Sequence, residues 1–199
     1  MEGRGVHGRL VVISGPSGAG KTSVCRALKE DPRVSFSVSA TTRAPRTGEV
    51  DGVDYIFLSD EEFVRREKAS AFLESAVYNG NRYGTPRDEV FRAVAEGRVI
   101  LLEIEVQGTR SLRQQAVDAL YVFVVPPSLE ELRQRLESRG TNDPADIERR
   151  LAIAAEELEA KSLYDEVVVN DELDETITAV KRLIGLQVRE DSSAAGEGE

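Results

Sequence analysis

The stretch LVVISGPSGAGKTS, residues 10–23, decides the fold of this chain. Its first part is an unbroken apolar run, which is typical of a strand buried on both faces of a parallel sheet. A loop with three glycines follows, and a helical pattern begins at Lys21. A strand, a glycine-rich turn and a helix in this order predict the first unit of an α/β domain.

The loop carries the pattern Gly15-x-x-x-x-Gly20-Lys21-Thr22, which predicts a phosphate-binding P-loop. Glycines let consecutive backbone N–H groups point at phosphate oxygens, and the following helix adds the positive end of its dipole. The lysine would bridge the β- and γ-phosphates of ATP, and the threonine hydroxyl would ligate Mg²⁺. The alternative is a glycine-rich turn that holds no ligand. The predicted nucleotide-binding residues are Gly15, Pro16, Ser17, Gly18, Ala19, Gly20, Lys21, Thr22 and Ser23.

The composition is that of one soluble globular domain. Of the 199 residues, 40% are hydrophobic and 31% are charged. No apolar run reaches the ~20 residues that span a bilayer, so we expect a cytoplasmic protein that binds no membrane. The net charge of −10 argues against nucleic acid as a partner. With one cysteine and one histidine, an internal disulfide and a soft-metal site are excluded, so any metal must be held by oxygen.

Strand-like runs and helical patterns alternate along the rest of the chain. Apolar continuity at 99–106 and 120–125 predicts strands covered on both faces, as in a parallel sheet flanked by helices. Ser59 and Ser128 each stand three residues before a glutamate, which is capping-box spacing and predicts helix starts. Other strand-like runs lie at 9–14, 35–41, 55–58 and 166–170.

Two segments do not follow this alternation. Between residues 42 and 98, the turn signals RTGEVDG and NGNRYG surround short strands, which predicts a small mixed insertion. The final segment REDSSAAGEGE is polar and of low complexity, and we expect it to be disordered.

Several motifs after the P-loop closely resemble the guanylate kinase family, from about residue 10 to residue 184. The resemblance implies an α/β fold with a P-loop core, ATP-dependent phosphorylation of GMP (and of dGMP) to the diphosphate, and Mg²⁺ as cofactor. GMP and ATP would be the small-molecule partners. The motifs are SVSATTRAPRTGEVDGVDYIF (37–57), FLESAVYNGNRYGTP (72–86), LLEIEVQG (101–108), RLESRGT (135–141), IERRL (147–151) and VVND (168–171).

The resemblance also implies a division of one guanylate kinase-like domain, residues 1–199, into functional parts. These parts are a core at about 9–36, 97–132 and 158–188, a GMP-binding region at about 37–96, a helical lid at about 133–157 and a disordered tail at 189–199.

Two arginines in the GMP-binding region are suited to the phosphate of GMP. Arg43 and Arg46 stand three residues apart in a loop, and their planar guanidinium groups fit phosphate oxygens. The family's matching positions imply that Tyr55 and Tyr83 add hydroxyl donors. For either tyrosine taken alone, ordinary packing is the alternative.

A carboxylate can accept hydrogen bonds from both the N1–H and the N2–H groups of guanine. Glu74 is therefore the residue expected to recognise the base, and is called the base reader. The family pattern assigns the hydroxyls of Ser39 and Thr85 to guanine O6. Adenine presents an acceptor at N1 and would leave the buried carboxylate unpaired, which gives strong discrimination. Without the resemblance, a solvated strand residue is an equally good interpretation of Glu74.

The strand end LLEIEVQG departs from the family, whose members often carry Asp-x-Asp there. This chain has Glu103 and Glu105, each one methylene longer, and a strand period of two would place both on one face. One of them would point at the guanine amino group or at a Mg²⁺-bound water. The alternative is a pair of satisfied carboxylates at the edge of the core.

The lid is expected to supply positive charge to the ATP phosphates. Arg135 and Arg139 are spaced i, i+4 on one helical face, and Arg150 lies on the returning helix. Arg149 would face solvent, and Arg43 would also touch the transferring group after closure. Catalysis would depend on positioning and electrostatics, with no protein nucleophile.

Three other functions stay open at this point. One is a catalytically inactive guanylate kinase-like binding module, another is a sugar-phosphate kinase, and the third is a regulatory P-loop NTPase. The guanine-reading set of Ser39, Glu74 and Thr85 argues against the sugar-phosphate kinase. The sequence leaves the oligomeric state open.

Overall fold

The computed structural model of the chain describes residues 8–78, 80–138 and 143–186, so the expected disordered tail at 189–199 lies outside the described residues. Within them, no helix is long and apolar enough to cross a membrane. The strands are β1 (Arg9–Ser14), β2 (Val34–Phe36), β3 (Ala40–Thr41), β4 (Ile56–Phe57), β5 (Phe72–Tyr78), β6 (Asn81–Pro86), β7 (Val99–Glu103), β8 (Leu120–Val125) and β9 (Glu166–Val169). The helices are α1 (Lys21–Lys29), α2 (Asp60–Lys68), α3 (Arg87–Ala95), α4 (Val106–Gln114), α5 (Leu129–Ser138), α6 (Pro144–Leu158) and α7 (Leu173–Leu183), with a 3₁₀ helix at Glu159–Leu163.

The larger sheet is parallel and forms the centre of the core. In the described residues its strand order is β2-β7-β1-β8-β9, so the loop after β1 leaves the middle of the sheet. Alternate residues of β1, β7 and β8 divide between two core clusters. Val24 of α1 and Val180 of α7 belong to one cluster, and Val90 of α3 and Leu112 of α4 belong to the other. The predicted parallel sheet with helices on both faces is thereby confirmed.

The predicted strand at 99–106 is wrong for its last three residues. β7 ends at Glu103, and α4 begins at Val106. Glu105 keeps an extended backbone as the residue before the helix, and its carbonyl accepts from the Thr109 N–H at 3.1 Å. The two glutamates therefore stand on a strand end and on a helix start, not along one strand.

A second, four-stranded sheet lies beside the core, with the order β4-β3-β6-β5 in the described residues. The predicted strand at 35–41 is divided, because β2 belongs to the large sheet and β3 to this one. β5 and β6 form an antiparallel hairpin in which Tyr78 pairs with Asn81. α2 covers the sheet by stacking Phe63 on Phe72, with ring centroids 4.5 Å apart.

Helices α5 and α6 pack against each other through a small apolar cluster. Their starts are capped, since Ser128 Oγ accepts from the Glu131 N–H at 3.0 Å and Asp143 Oδ1 from the Asp146 N–H at 2.8 Å. The Ser128 cap and the equivalent Ser59 cap on α2 confirm the starts predicted from sequence. The cluster consists of Leu132, Leu136, Ile147, Leu151 and Ala154.

Candidate active site

The predicted P-loop joins β1 to α1, and the helix begins at Lys21 as the motif predicts. Gly20 has φ +93°, in the left-handed region that favours glycine. An ideal Cβ on Gly20 would lie 2.1 Å from Nδ2 of Asn170, so the position has no room for a side chain. Because the first N–H groups of an α-helix have no partner within the helix, the loop and α1 together can hold an anion.

Lys21 is buried in this loop with 7% of its surface exposed. Its ammonium donates to the carbonyls of Gly15 at 2.5 Å and Pro16 at 3.2 Å, and Nζ lies 3.8 Å from Oε2 of Glu105. The hydroxyl of Thr22 donates to Oε1 of Glu103 at 2.6 Å. The structure therefore brings both predicted glutamates to the P-loop, each beside a different P-loop side chain.

These oxygen atoms suit Mg²⁺ better than a softer metal. Mg²⁺ is usually held by one or two carboxylates together with substrate phosphates and waters. The Thr22 hydroxyl and the Glu103 carboxylate bring two oxygen atoms of this kind together at the start of α1. No group of three or more His, Cys, Asp or Glu side chains arranged for a metal occurs in the described part of the chain. The donor set fits an ion that is bound partly by protein and partly by nucleotide.

The predicted base reader lies in a buried part of the smaller sheet. Glu74 is 6% exposed, and the fully buried Thr85 on the paired strand donates to its Oε1 at 2.6 Å. Burial raises the pKa of Glu74, while the hydrogen bond from Thr85 acts in the opposite direction. Ser39 directly precedes β3, whose Ala40 pairs with Gly84, the neighbour of Thr85. The three predicted guanine-contacting residues therefore share one region of the sheet.

The start of α4 connects this base-reading region to the P-loop. An ideal Cβ on Gly108 would lie 2.8 Å from Oε2 of Glu74, so the carboxylate packs directly on the α4 backbone. Glu105, at the cap of the same helix, lies 3.8 Å from Nζ of Lys21. Residues 105 to 108, one helical turn, therefore contact both the predicted base reader and the P-loop lysine.

The predicted phosphate-binding residues of the smaller sheet also lie together. The guanidinium of Arg43 is 5.3 Å from the ring centre of Tyr55, and the rings of Tyr55 and Tyr83 are 6.1 Å apart. Nη2 of Arg43 donates to Glu49 at 2.8 Å, and the backbone N–H of Arg46 donates to the same carboxylate at 2.7 Å. Glu49 was not predicted as a site residue, and its pKa is lowered mainly by the hydrogen bond from Arg43.

The arginines of the predicted lid differ in what they contact. Arg135 donates to Glu131 at 2.9 Å and to the backbone carbonyl of Asn170 at 2.9 Å, beside the P-loop. Arg150 donates to Asp146 at 2.8 Å and is less exposed than Arg149. Arg139 lies outside the described residues.

Asn170 is a site residue that the sequence analysis did not single out. It is 5% exposed, its Nδ2 donates to the Ala19 carbonyl of the P-loop at 2.7 Å, and its Oδ1 accepts from Thr176 at 3.0 Å. The sequence signal that could have identified Asn170 is the polar pair Asn-Asp at the end of VVND. This pair follows a strand at the carboxyl edge of the sheet, where ligands bind in such folds. A cavity of about 290 Å³ opens beside it, lined by Gly18, Gly20, Ser23, Arg135, Ser138, Asn170, Asp171 and Leu173.

Sequence relatives identify the family of the chain. The family model for guanylate kinase matches residues 7–187. The chain is 49% identical over 178 residues to a guanylate kinase of Symbiobacterium thermophilum, covering 89% of this chain and 84% of the relative. It is 50% identical over 183 residues to a guanylate kinase of Rubrobacter xylanophilus, covering 89% of this chain and 96% of the relative.

Solved structures also include a guanylate kinase that is similar to this chain. The crystal structure of guanylate kinase from Anaplasma phagocytophilum matches with a TM-score of 0.74 and 34% identity, covering 90% of this chain and 86% of that one. The crystal structure of TT1252 from Thermus thermophilus, at a TM-score of 0.50 and 18% identity over 92% of this chain and 99% of that one, shares the fold alone. With a family model that spans nearly the whole chain and relatives identical at about half of their positions, the chain belongs to the guanylate kinase family.

Proposed function

We propose that this chain transfers the γ-phosphoryl group of Mg·ATP to GMP, producing ADP and GDP. The observation that carries the proposal is the buried Glu74, paired with Thr85 and connected through the start of α4 to the P-loop lysine. A base reader and a phosphate-binding loop that are joined by one helical turn are what a nucleotide kinase needs. Membership of the guanylate kinase family names guanine as the base.

Glu74 would accept from N1 and N2 of guanine. Its carboxylate is already held by the Thr85 hydroxyl, which leaves Oε2 and the remaining lone pairs of Oε1 for the base. In this role Thr85 orients the carboxylate, and it would have to turn its hydroxyl to donate to guanine O6 as the family pattern implies. Ser39 is the other candidate for O6. Both GMP and dGMP carry the same base, so this contact would serve either substrate.

Arg43, Arg46, Tyr55 and Tyr83 would hold the GMP phosphate. The Arg43 guanidinium lies over the ring of Tyr55, 5.3 Å from its centre, and is hydrogen-bonded to Glu49, which would hold its plane before substrate arrives. A guanidinium held in this way offers a planar fork to phosphate oxygens at low entropic cost. The function of Glu49 would therefore be to orient Arg43.

ATP would bind with its phosphates on the P-loop and its adenine beside Asn170 and Arg135, in the 290 Å³ cavity. Mg²⁺, when bound, neutralises charge on the β- and γ-phosphates. To reach those phosphates, the Lys21 ammonium must leave the carbonyls of Gly15 and Pro16. The lid arginines Arg135, Arg139 and Arg150 would then surround the transferring group and exclude water, which protects ATP from hydrolysis.

GMP and ATP are accordingly the proposed partners, and we propose no nucleic-acid or membrane partner. The buried free thiol of Cys25 is consistent with the reducing conditions of the cytoplasm, where we place the protein.

The test is ADP formation from Mg·ATP by the purified chain, with GMP, AMP, UMP, CMP or no acceptor. Turnover with GMP alone supports the proposal, and Lys21→Ala serves as the matched inactive control. ADP formation without any acceptor would contradict it and identify an NTPase. No turnover with any nucleotide would also contradict it and leave the binding module or the sugar-phosphate kinase.

A further inference from the structure

The strand that carries the base reader is irregular directly before it. Phe72 of β5 pairs with Pro86 of β6. Glu74, two positions later on β5, pairs with Thr85, which is only one position earlier on β6. Leu73 and Glu74 therefore stand where a regular strand would have a single residue. This arrangement is a β-bulge, which bends a strand and changes the direction of its side chains.

The bulge determines which residue lies opposite Glu74. If the register at Phe72 continued without a bulge, Glu74 would lie opposite Gly84, which has no side chain to meet the carboxylate. With the bulge it lies opposite Thr85, whose hydroxyl donates to Oε1 at 2.6 Å. The pair formed by the base reader and its threonine therefore depends on one extra residue in β5.

The bulge also determines which helix Glu74 faces. Side chains at i and i+2 of a regular strand share one face, so Glu74 would lie with Phe72, which stacks on Phe63 of α2. In this structure the Glu74 carboxylate packs instead on the α4 backbone at Gly108. The start of α4 also contacts Lys21, so the bulge turns the base reader toward the helix that leads to the P-loop.

Two side chains from neighbouring helices hold the backbone at the bulge. Nε2 of Gln115, the residue that caps the end of α4, donates to the Leu73 carbonyl at 3.1 Å. Nη2 of Arg87, the first residue of α3, donates to the Phe72 carbonyl at 3.3 Å. Nη2 of Arg87 also lies 3.5 Å from Oε1 of Gln115. The carbonyls of both residues that precede Glu74 are therefore held from outside the smaller sheet.

Gln115 is itself anchored on α4. Its Nε2 lies within hydrogen-bond distance of the Ser111 carbonyl, at 3.3 Å, and of the Ser111 hydroxyl, at 3.2 Å. Its backbone N–H donates to the same carbonyl at 3.1 Å. The first turn of this helix presents Gly108 to the base reader. Helix α4 therefore contacts two consecutive residues of β5, the bulge residue and the base reader.

We propose that Gln115 is a positioning residue that holds the β5 bulge in place and thereby sets the base preference of this protein. The Leu73 carbonyl and the Glu74 N–H belong to one planar peptide unit, so a hydrogen bond to that carbonyl fixes the direction in which Glu74 leaves the backbone. Without the Gln115 donor this peptide unit can turn and move the carboxylate away from the base. The proposal rests on the proposed function, because it takes Glu74 as the reader of guanine.

The experiment compares wild type with Gln115→Met and Gln114→Met. Methionine is unbranched like glutamine and has no N–H donor, so Gln115→Met removes the hydrogen bond to Leu73 and keeps much of the side-chain volume. Gln114 is the matched control, because it is the exposed neighbour on the same helix. Steady-state kinetics measure KM and kcat for GMP, IMP and ATP, and a thermal melt measures stability.

We expect Gln115→Met to raise the KM for GMP by about 2- to 12-fold, the effect of losing one neutral hydrogen bond, while the KM for ATP stays constant. IMP lacks the 2-amino group of GMP, so Glu74 can accept only one donor from its base. The preference for GMP over IMP should therefore fall, because a displaced carboxylate no longer accepts both guanine donors. A merely structural role would lower the melting temperature and leave this preference unchanged. Gln114→Met should behave like wild type.

A third variant, Gln115→Lys, keeps an N–H donor on a long side chain and should restore most of the preference for GMP. The same loss of preference in Gln115→Lys as in Gln115→Met, or in Gln114→Met, overturns the inference. If wild type prefers GMP and Gln115→Met keeps that preference in full, this inference fails and the proposed function stands. A wild type that phosphorylates no nucleotide refutes both.

Discussion

Replacing Glu74 by glutamine tests how the base is selected. The change keeps the shape of the side chain, which is 6% exposed between Thr85 and Gly108, so the packing of this region should survive. An amide has one oxygen and one NH₂ group, so it can accept from only one of the two guanine donors. The other donor meets an N–H group in a place with little water.

The expected loss follows from the kind of hydrogen bond that disappears. A hydrogen bond to a charged group contributes about 1.5–3 kcal/mol, so loss of one such bond weakens GMP binding by about 10- to 150-fold. The amide N–H can donate to adenine N1, so the preference for GMP over AMP should fall by more than GMP affinity alone. Thr85 can still donate to the amide oxygen, and stability should change little.

The assay measures KM and kcat for GMP and AMP at saturating Mg·ATP, together with equilibrium binding of GMP. Glu61→Gln is the control, because Glu61 is an exposed glutamate on α2 beside the same sheet. A variant with unaltered GMP affinity and unaltered base preference would refute the assignment of Glu74 as the reader of guanine.

Three further outcomes are expected. Lys21→Ala should lower the rate of GMP phosphorylation at least about a hundredfold, because a charge that stabilises the transferring group is lost; a rate near wild type in the coupled ADP assay would contradict the P-loop mechanism. Asn170→Ala should raise the KM for ATP more than that for GMP and destabilise the fold by about 1–3 kcal/mol, since buried groups of the P-loop and α7 lose a partner. Steady-state kinetics measure the two KM values and a thermal melt measures the stability; equal changes in both KM values would argue against the placement of Asn170 beside adenine. Because burial raises the pKa of Glu157, on α6, to about 7 from 4.5, folding stability should decline as pH rises from about 4.5 to about 7. Since solvent screens part of this effect at a half-buried group, Glu157→Gln should gain about 1–2 kcal/mol over wild type at pH 8 and little at pH 4.5. A urea denaturation difference that is the same at both pH values would show that Glu157 is not responsible.

The P-loop could be predicted in detail because its sequence pattern is a local requirement. The left-handed backbone of Gly20 and the helix start at Lys21 both follow from residues within a few positions. The helix caps at Ser59 and Ser128 are local in the same sense. The parallel sheet followed from runs such as 120–125, which are too apolar to face water on either side.

The end of β7 could not be predicted, because the apolar pattern continues beyond it. Ile104 is 9% exposed and has the burial expected of a strand residue. The helix start is instead decided by the bond from the Thr109 N–H to Glu105, and hydrophobic periodicity does not report such a bond.

The supporting residues of the site depend on tertiary contacts. Asn170 reaches a carbonyl 151 positions earlier in the chain, and no sequence spacing indicates such a pair. The ion pair between Asp146 and Arg150, by contrast, has i, i+4 spacing on one helix and was predictable from the sequence.

The start of α4 also has a consequence for engineering this protein to accept another base. Because the Glu74 carboxylate packs against the backbone at Gly108, a redesigned acceptor pocket has to change both positions together. A shorter side chain at 74 would leave a void over Gly108, and a small side chain at 108 could fill it. Since Glu105 on the same turn lies 3.8 Å from Lys21, a shift of the helix made to suit a new base would also move a charge at the P-loop. Exchange of bases is therefore easiest to engineer with substitutions that leave the α4 backbone where it is.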